Sequence, residues 1–166
     1  MLRDRIAAIG ALNKKQTVIA GLCADTDIWG LYRGAGKCCY AILHMEDGNL
    51  TGRETAFFSA PIEESEGEMI SAITAQYYLP RSILPHEILL PAETEDCEGL
   101  SEVLTKRAGH KVWVHIPQRG EKAELLAMAR RNAAEETERA TSVEERTNHT
   151  LELLAKMMNL PQPPKR

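Results

Sequence analysis

Hydrophobic positions change their spacing several times along this chain, and each change marks a predicted element. Over residues 1–15, Leu2, Ile6, Ile9 and Leu12 recur at intervals of three and four, with Arg3, Asp4 and Arg5 between them, which predicts a short amphipathic helix. From Thr17 to Phe58 the period falls to two. A short run, Thr17-Val18-Ile19-Ala20, precedes three clearer predicted strands at about Ile28 to Arg33, Cys38 to Met45 and Leu50 to Phe58. Gly34-Ala35-Gly36 turns the chain between the first two strands, and Glu46-Asp47-Gly48-Asn49 between the second and third. Asp-Gly between alternating segments is a strong hairpin signal, because the tight turn needs positive φ. The three strands read as an antiparallel meander.

Pro61 breaks that pattern and helical spacing follows. Ile62, Met69, Ile70, Ile73 and Tyr77 fall on one stripe, with Glu63, Glu64 and Glu68 largely outside it; the acidic start suits the positive end of a helix dipole. Pro80 and Pro85 end this helix. Glu87-Ile88-Leu89-Leu90-Pro91 reads as a short strand buried on both faces. Cys97 to Lys106 predicts a second helix through Leu100, Val103 and Leu104, with Gly109 as its C-cap. Lys111 to Ile116 alternates again, placing Val112, Val114 and Ile116 on one face and Trp113 and His115 on the other. After Pro117-Gln118-Arg119-Gly120 a long polar helix runs to about Leu160, with a break expected near Thr141-Ser142. The order is β-β-β-α-β-α-β-α, an α/β fold with a mixed sheet and the topology of the ribonuclease H-like folds. The expected organisation is a helix end at 1–16, a domain at 17–120 and a helical linker at 121–166, whose Glu135 to Glu145 stretch reads as exposed.

Composition narrows the function classes. Hydrophobic residues make up 43% of the 166 and aromatics only 5%, so the core must be mainly aliphatic. Lys plus Arg number 20 against 24 Asp plus Glu, a net charge of −4 that speaks against a wholesale polyanion binder but leaves room for a local basic patch. No apolar run approaches the roughly 20 residues of a membrane span, and the first residues lack a signal-peptide pattern, so a cytoplasmic protein without membrane partners is expected. Cys23, Cys38, Cys39 and Cys97 form no C-x-x-C pair, and adjacent Cys38 and Cys39 leave a strand on opposite faces, so they cannot share a metal. Reduced thiols are expected. His44, His86, His110, His115 and His149 show neither the i, i+4 spacing of a helical metal site nor a nucleophile grouping. His44 and His115 read as partly buried strand residues. No metal, cofactor or small-molecule substrate is indicated.

Seven stretches together resemble one family, the UvrC proteins of the excinuclease ABC system. They are Leu2-Arg3-Asp4-Arg5-Ile6, Ile62-Glu63-Glu64-Ser65-Glu66, Gln76-Tyr77-Tyr78-Leu79, Glu87-Ile88-Leu89-Leu90-Pro91, Pro117-Gln118-Arg119-Gly120-Glu121-Lys122, Glu145-Arg146-Thr147-Asn148 and Leu160-Pro161-Gln162-Pro163-Pro164-Lys165-Arg166. The resemblance runs in the family's order over essentially the whole chain. It implies the last arm of a UVR helical hairpin followed by the family's middle region, as a piece of a longer protein. It further implies nucleotide excision repair, with UvrB and damaged DNA as partners of the full-length protein. The family's GIY-YIG and catalytic ribonuclease H-like centres are not present as motifs.

An active ribonuclease H-type site holds two divalent metals on carboxylates, beginning with an Asp in the middle of the first strand. Here that position is Trp29 or Gly30, neither of which ligates a hard cation through its side chain. Asp25 and Asp27 are placed just before the strand as turn or cap residues, and Glu64, Glu66 and Glu68 as a solvated helix start. The expectation is therefore a non-catalytic module. Arg119 and Lys122 flank Gly120 where a strand hands over to a helix, a combination suited to phosphate, and Lys111, Arg130 and Arg131 extend the candidate DNA surface, with Lys106 and Arg107 nearby. The competing reading is a Gly-made turn with solvated charges. Leu2, Ile6 and Ile9 are the candidate stripe for UvrB or, equally, for the chain's own domain. Trp113 and Tyr77 read as core or edge residues rather than base-stacking platforms. Two other functions stay open: a stand-alone protein-interaction module derived from the family, and a small metal-dependent nuclease using Asp25, Asp27 and Glu64 to Glu68.

Overall fold

The computed structural model describes residues 25–34, 37–94 and 96–158. The expected helix end at 1–16, with Leu2, Ile6 and Ile9, the Thr17-Ala20 run and the prolines after Leu160 lie outside the described residues. The meander forms as predicted: β1 (Asp25–Arg33), β2 (Cys38–Glu46) and β3 (Asn49–Phe58). Asp47 and Gly48 both take positive φ, 48° and 76°, in the hairpin between β2 and β3. Next come α1 (Glu66–Tyr78), β4 (Glu87–Leu89), α2 (Cys97–Ala108), β5 (Trp113–His115) and α3 (Glu121–Met157). The strands make one sheet in the order β3-β2-β1-β4-β5. β1 runs antiparallel to β2 and parallel to β4, with Trp29 opposite Ile42 and Ile28 opposite Leu89. This is the mixed α/β, ribonuclease H-like topology expected from periodicity.

The central strand is buried on both faces. Trp29 and Leu31 join Ile42, Ile88, Leu90, Met69, Ile70, Tyr78 and Leu104 on the side covered by α1 and α2. Ile28 joins Leu43, Met45 and Leu89 against Leu125, Leu126 and Ala129 of α3. Cys38 and Cys39 face these opposite layers, as adjacent strand residues must. Such a helix–sheet–helix sandwich buries a real core without staples.

Four expectations need correcting. Asp25 and Asp27 lie within β1 rather than before it, because β1 starts where it can pair with Glu46 and His44 of β2. The helix predicted from Ile62 starts only at Glu66. Ser65 caps it, its hydroxyl accepting from the Glu68 amide while the Glu68 carboxylate accepts from the Ser65 amide, and that exchange holds the Glu68 pKa below its ordinary value. Ile62 is left exposed outside the stripe. Residues 121–137 are not a linker: they form the third layer, with Leu125, Leu126, Ala129, Ala133 and Thr137 buried. α3 is also continuous through Thr141-Ser142, where the Thr141 hydroxyl donates to the Thr137 carbonyl. Among the described residues no helix is long and apolar enough to cross a membrane.

Candidate nucleic-acid interface

α3 crosses β1 and β2 and reaches Leu89 of β4, while on β5, the edge strand of the sheet, Trp113 and His115 stay exposed. Glu87 pairs with Trp113 and Leu89 with His115, and Leu89 packs towards α3, so all four residues point to the α3 face of the sheet. Val112, Val114 and Ile116 pack on the opposite side, as their alternation predicts. The Glu87 side chain is only 3% exposed, and three groups meet it there. Lys122 Nζ lies 2.5 Å from Oε1, His115 Nε2 lies 2.8 Å from the same oxygen, and the Thr26 hydroxyl donates to Oε2 at 3.2 Å. Next to them Trp113 stands 55% exposed, with Lys111 Nζ 5.0 Å from its ring centroid.

The structure thus brings Lys111 and Lys122 to one open face, with exposed Arg119 on the connection between them and Gly120 opening α3 at φ 80°. It does not bring all five basic candidates together. Arg130 lies eight residues beyond Lys122, about 12 Å along the helix, and pairs with Glu66 at 3.4 Å. Arg131 is exposed on the next helical position, roughly 100° further round. Of the two places expected for Trp113, core or edge, the structure gives the edge, with much of the ring in solvent.

Lys122 has a structural job that Arg119 lacks. Lys122→Ala removes the ammonium from a buried carboxylate and is expected to cost about 1.5–3 kcal/mol, whereas Arg119→Ala should change stability by less than about 0.5 kcal/mol. Thermal melts of the two variants check this; equal melting temperatures would show that Glu87 does not depend on Lys122.

A second polar cluster sits at the start of β1 on the other face. Asp27 is almost buried, and the Tyr78 hydroxyl donates to its Oδ2 at 2.6 Å while His44 Nδ1 lies 2.7 Å from Oδ1. Trp29 Nε1–H donates to the Tyr78 oxygen at 2.9 Å. On the far side of the His44 ring, Nε2 is 3.4 Å from Glu54 Oε1. Glu54 accepts from the Tyr77 hydroxyl at 2.9 Å and from Arg81 at 3.2 Å, and Arg81 lies over the Tyr77 ring at 3.8 Å. The hydrogen bond to Asp27 raises the His44 pKa, against partial burial and with help from the Glu54 charge. Burial raises the Tyr78 hydroxyl well above its ordinary value, and the Asp27 carboxylate adds to the shift. Sequence reading missed this cluster because its members lie 17 and 51 residues apart.

The middle of β1 is apolar. Trp29 is fully buried, packed against Tyr40, Tyr77 and Tyr78 with ring centroids 5.2, 5.2 and 5.9 Å away. Gly30 lies directly under α3, so a Cβ there would overlap the Ala129 and Arg130 backbone. The carboxylates of the alternative nuclease reading are kept apart. Asp27 bonds to Tyr78, the last residue of α1, whereas Glu66 and Glu68 occupy the first turn, about 18 Å along the helix. Among the described residues no three His, Cys, Asp or Glu side chains form a group that could hold a metal ion.

Comparison with known proteins decides the lineage. The family model described as the UvrC ribonuclease H-like domain matches residues 25–140, which include both the sheet and the packed half of α3. The chain belongs to the UvrC family. It is 33% identical over 164 residues to UvrABC system protein C of Citrifermentans bemidjiense, covering 99% of this chain and 26% of that protein. The corresponding protein of Rhodopseudomonas palustris is 32% identical over 166 residues, covering 100% of this chain and 23% of the relative. That of Clostridium perfringens is 34% identical over 132 residues, covering 80% and 21%. The chain spans about a quarter of the length of these UvrC relatives. The matched stretch ends seventeen residues before the end of α3.

Proposed function

We propose that this chain is a non-catalytic, ribonuclease H-like module of the UvrC component of the UvrABC excision nuclease, acting in nucleotide excision repair. It holds the parts of the full-length protein in relative position and contacts damaged DNA, with UvrB as the protein partner of the whole assembly. The observation that carries this reading is the middle of β1. There Trp29 is locked into an aromatic cluster and Gly30 lies against α3, where a metal-dependent nuclease of this topology needs a carboxylate. Both positions serve packing, and neither has room for a hydrated cation.

DNA contact is assigned to Lys111, Arg119 and Lys122 on the open face of β5, with Arg130 and Arg131 further along α3. The segment from Thr105 to Lys122 supports this, carrying five Lys or Arg against one carboxylate in a chain whose net charge is −4. Each phosphate contact releases condensed counterions, so binding should weaken with salt. The double variant Lys111→Ala, Arg119→Ala is expected to lower the slope of log affinity against log salt by about 1–2 on duplex DNA. An unchanged slope would remove these residues from the interface. Cleavage of DNA by the purified chain that requires magnesium or manganese would overturn the non-catalytic assignment.

A further inference from the structure

We infer that Trp113 is a stacking platform for an unpaired base, so that the open face of β5 binds single-stranded DNA in preference to duplex. The inference rests on the DNA-contacting reading and specifies which form of DNA that surface takes. A large aromatic ring on an edge strand ordinarily turns inward, because burial of its surface is strongly favourable. Trp113 does the reverse: Val112 and Val114 on either side are packed inward while Trp113 projects from the uncovered face. The groups around it are cationic or neutralised. Lys111 lies over the ring, and His115 and Lys122 cover the carboxylate of Glu87.

Single-strand binders combine these parts: a positively charged track for the backbone and an aromatic face for the bases. Lys111 is no obstacle. An ammonium over an exposed indole is held more weakly than a stacked base. A base arriving on the ring displaces Lys111, whose flexible stem then carries its charge to the neighbouring phosphate. Duplex DNA offers phosphates to the same lysines but no free base face except at its ends, so Trp113 distinguishes the two forms.

The chain contains its own reporter. It has two tryptophans, and Trp29 is fully buried, so quenching of intrinsic fluorescence by added nucleic acid reads Trp113. The complete chain is titrated at low salt with oligothymidylate, with oligouridylate and with a duplex of equal length. Expected are strong quenching by oligothymidylate, little by the duplex, and a loss of single-strand affinity of about fivefold to a hundredfold in Trp113→Ala. Trp113→Phe should retain most of that affinity, and both variants should melt close to the parent because the ring is an exposed edge residue. Equal binding of single strand and duplex without quenching, unaffected by Trp113→Ala, would overturn the stacking inference while leaving backbone contact intact. Tighter binding of oligouridylate than oligothymidylate would overturn the assignment to DNA. Failure to bind any of the three would overturn both this inference and the DNA-contacting function beneath it.

Discussion

Gly30→Val is expected to cost about 3 kcal/mol or more and to loosen α3 from the sheet. Overpacking a core by a methylene or two ordinarily costs about 1–3 kcal/mol, because side chains can rotate away. Here the atoms in the way are the backbone carbonyl of Ala129 and the amide of Arg130, and backbone within a helix has no rotamer to change. The helix must translate as a unit, withdrawing Leu125, Leu126 and Ala129 from Ile28, Leu43 and Leu89. Urea unfolding should show a lower midpoint for Gly30→Val, and trypsin should cut faster after Arg130 and Arg131. Gly30→Ala should shift both in the same direction. A midpoint equal to the parent's would mean that α3 does not rest on β1 as described.

Asp27→Ala should be comparably damaging, at about 3–5 kcal/mol, because it leaves the buried Tyr78 hydroxyl and the His44 ring without their shared acceptor. It should also alter how stability depends on pH. His44 is faced by Asp27 from β1 and Glu54 from β3, with Tyr77, Tyr78 and Arg81 completing the surroundings. With its pKa raised in the folded state, His44 binds a proton more tightly there than in the unfolded chain. Its contribution is present in full below the unfolded value of about 6.5 and is lost as pH rises through the higher folded value. Stability should therefore fall across that window in the parent and fall less in Asp27→Ala. Urea titrations at a series of pH values, with the His44 ring followed by NMR, test both parts; a parent profile as flat as the variant's would show that the Asp27–His44 pair is not coupled to folding.

The strands and their order are legible in the sequence because the information is local. Alternation, the Asp47-Gly48 turn and the prolines after α1 all act within a few residues. The Gly109 C-cap, in the left-handed conformation at φ 74°, is equally visible. The basic candidates are legible as chemistry but not as geometry. Nothing near Lys122 announces that it neutralises Glu87, 35 positions earlier, or that Arg130 faces Glu66. α3 reads as a linker because its surface is mostly charged while its contact face is made of small residues. Ala129, Ala133 and Thr137 recur every four positions, and a glycine in the middle of a central strand marks a close backbone approach. Together Gly30 and that small-residue repeat are the signal that could have placed it. Asp27, His44 and Tyr78 leave none, since a single carboxylate, imidazole or phenol looks the same whether it faces solvent or another strand.

The continuity of α3 has a mechanical consequence. At 1.5 Å per residue its 37 residues extend about 55 Å, and only the part up to about Thr137 is seated on the sheet, with a Lys37–Glu144 ion pair steadying the next turns. The remaining twenty residues, mostly exposed, act as a boom about 30 Å long, held by a seated part that lies against Gly30 at Ala129 and Arg130. Because a helix advances 100° per residue, that seating fixes both the distance and the compass bearing of the residues at the boom's tip. Removing one residue from the boom would shorten it hardly at all, yet would swing its far end more than a quarter of a turn.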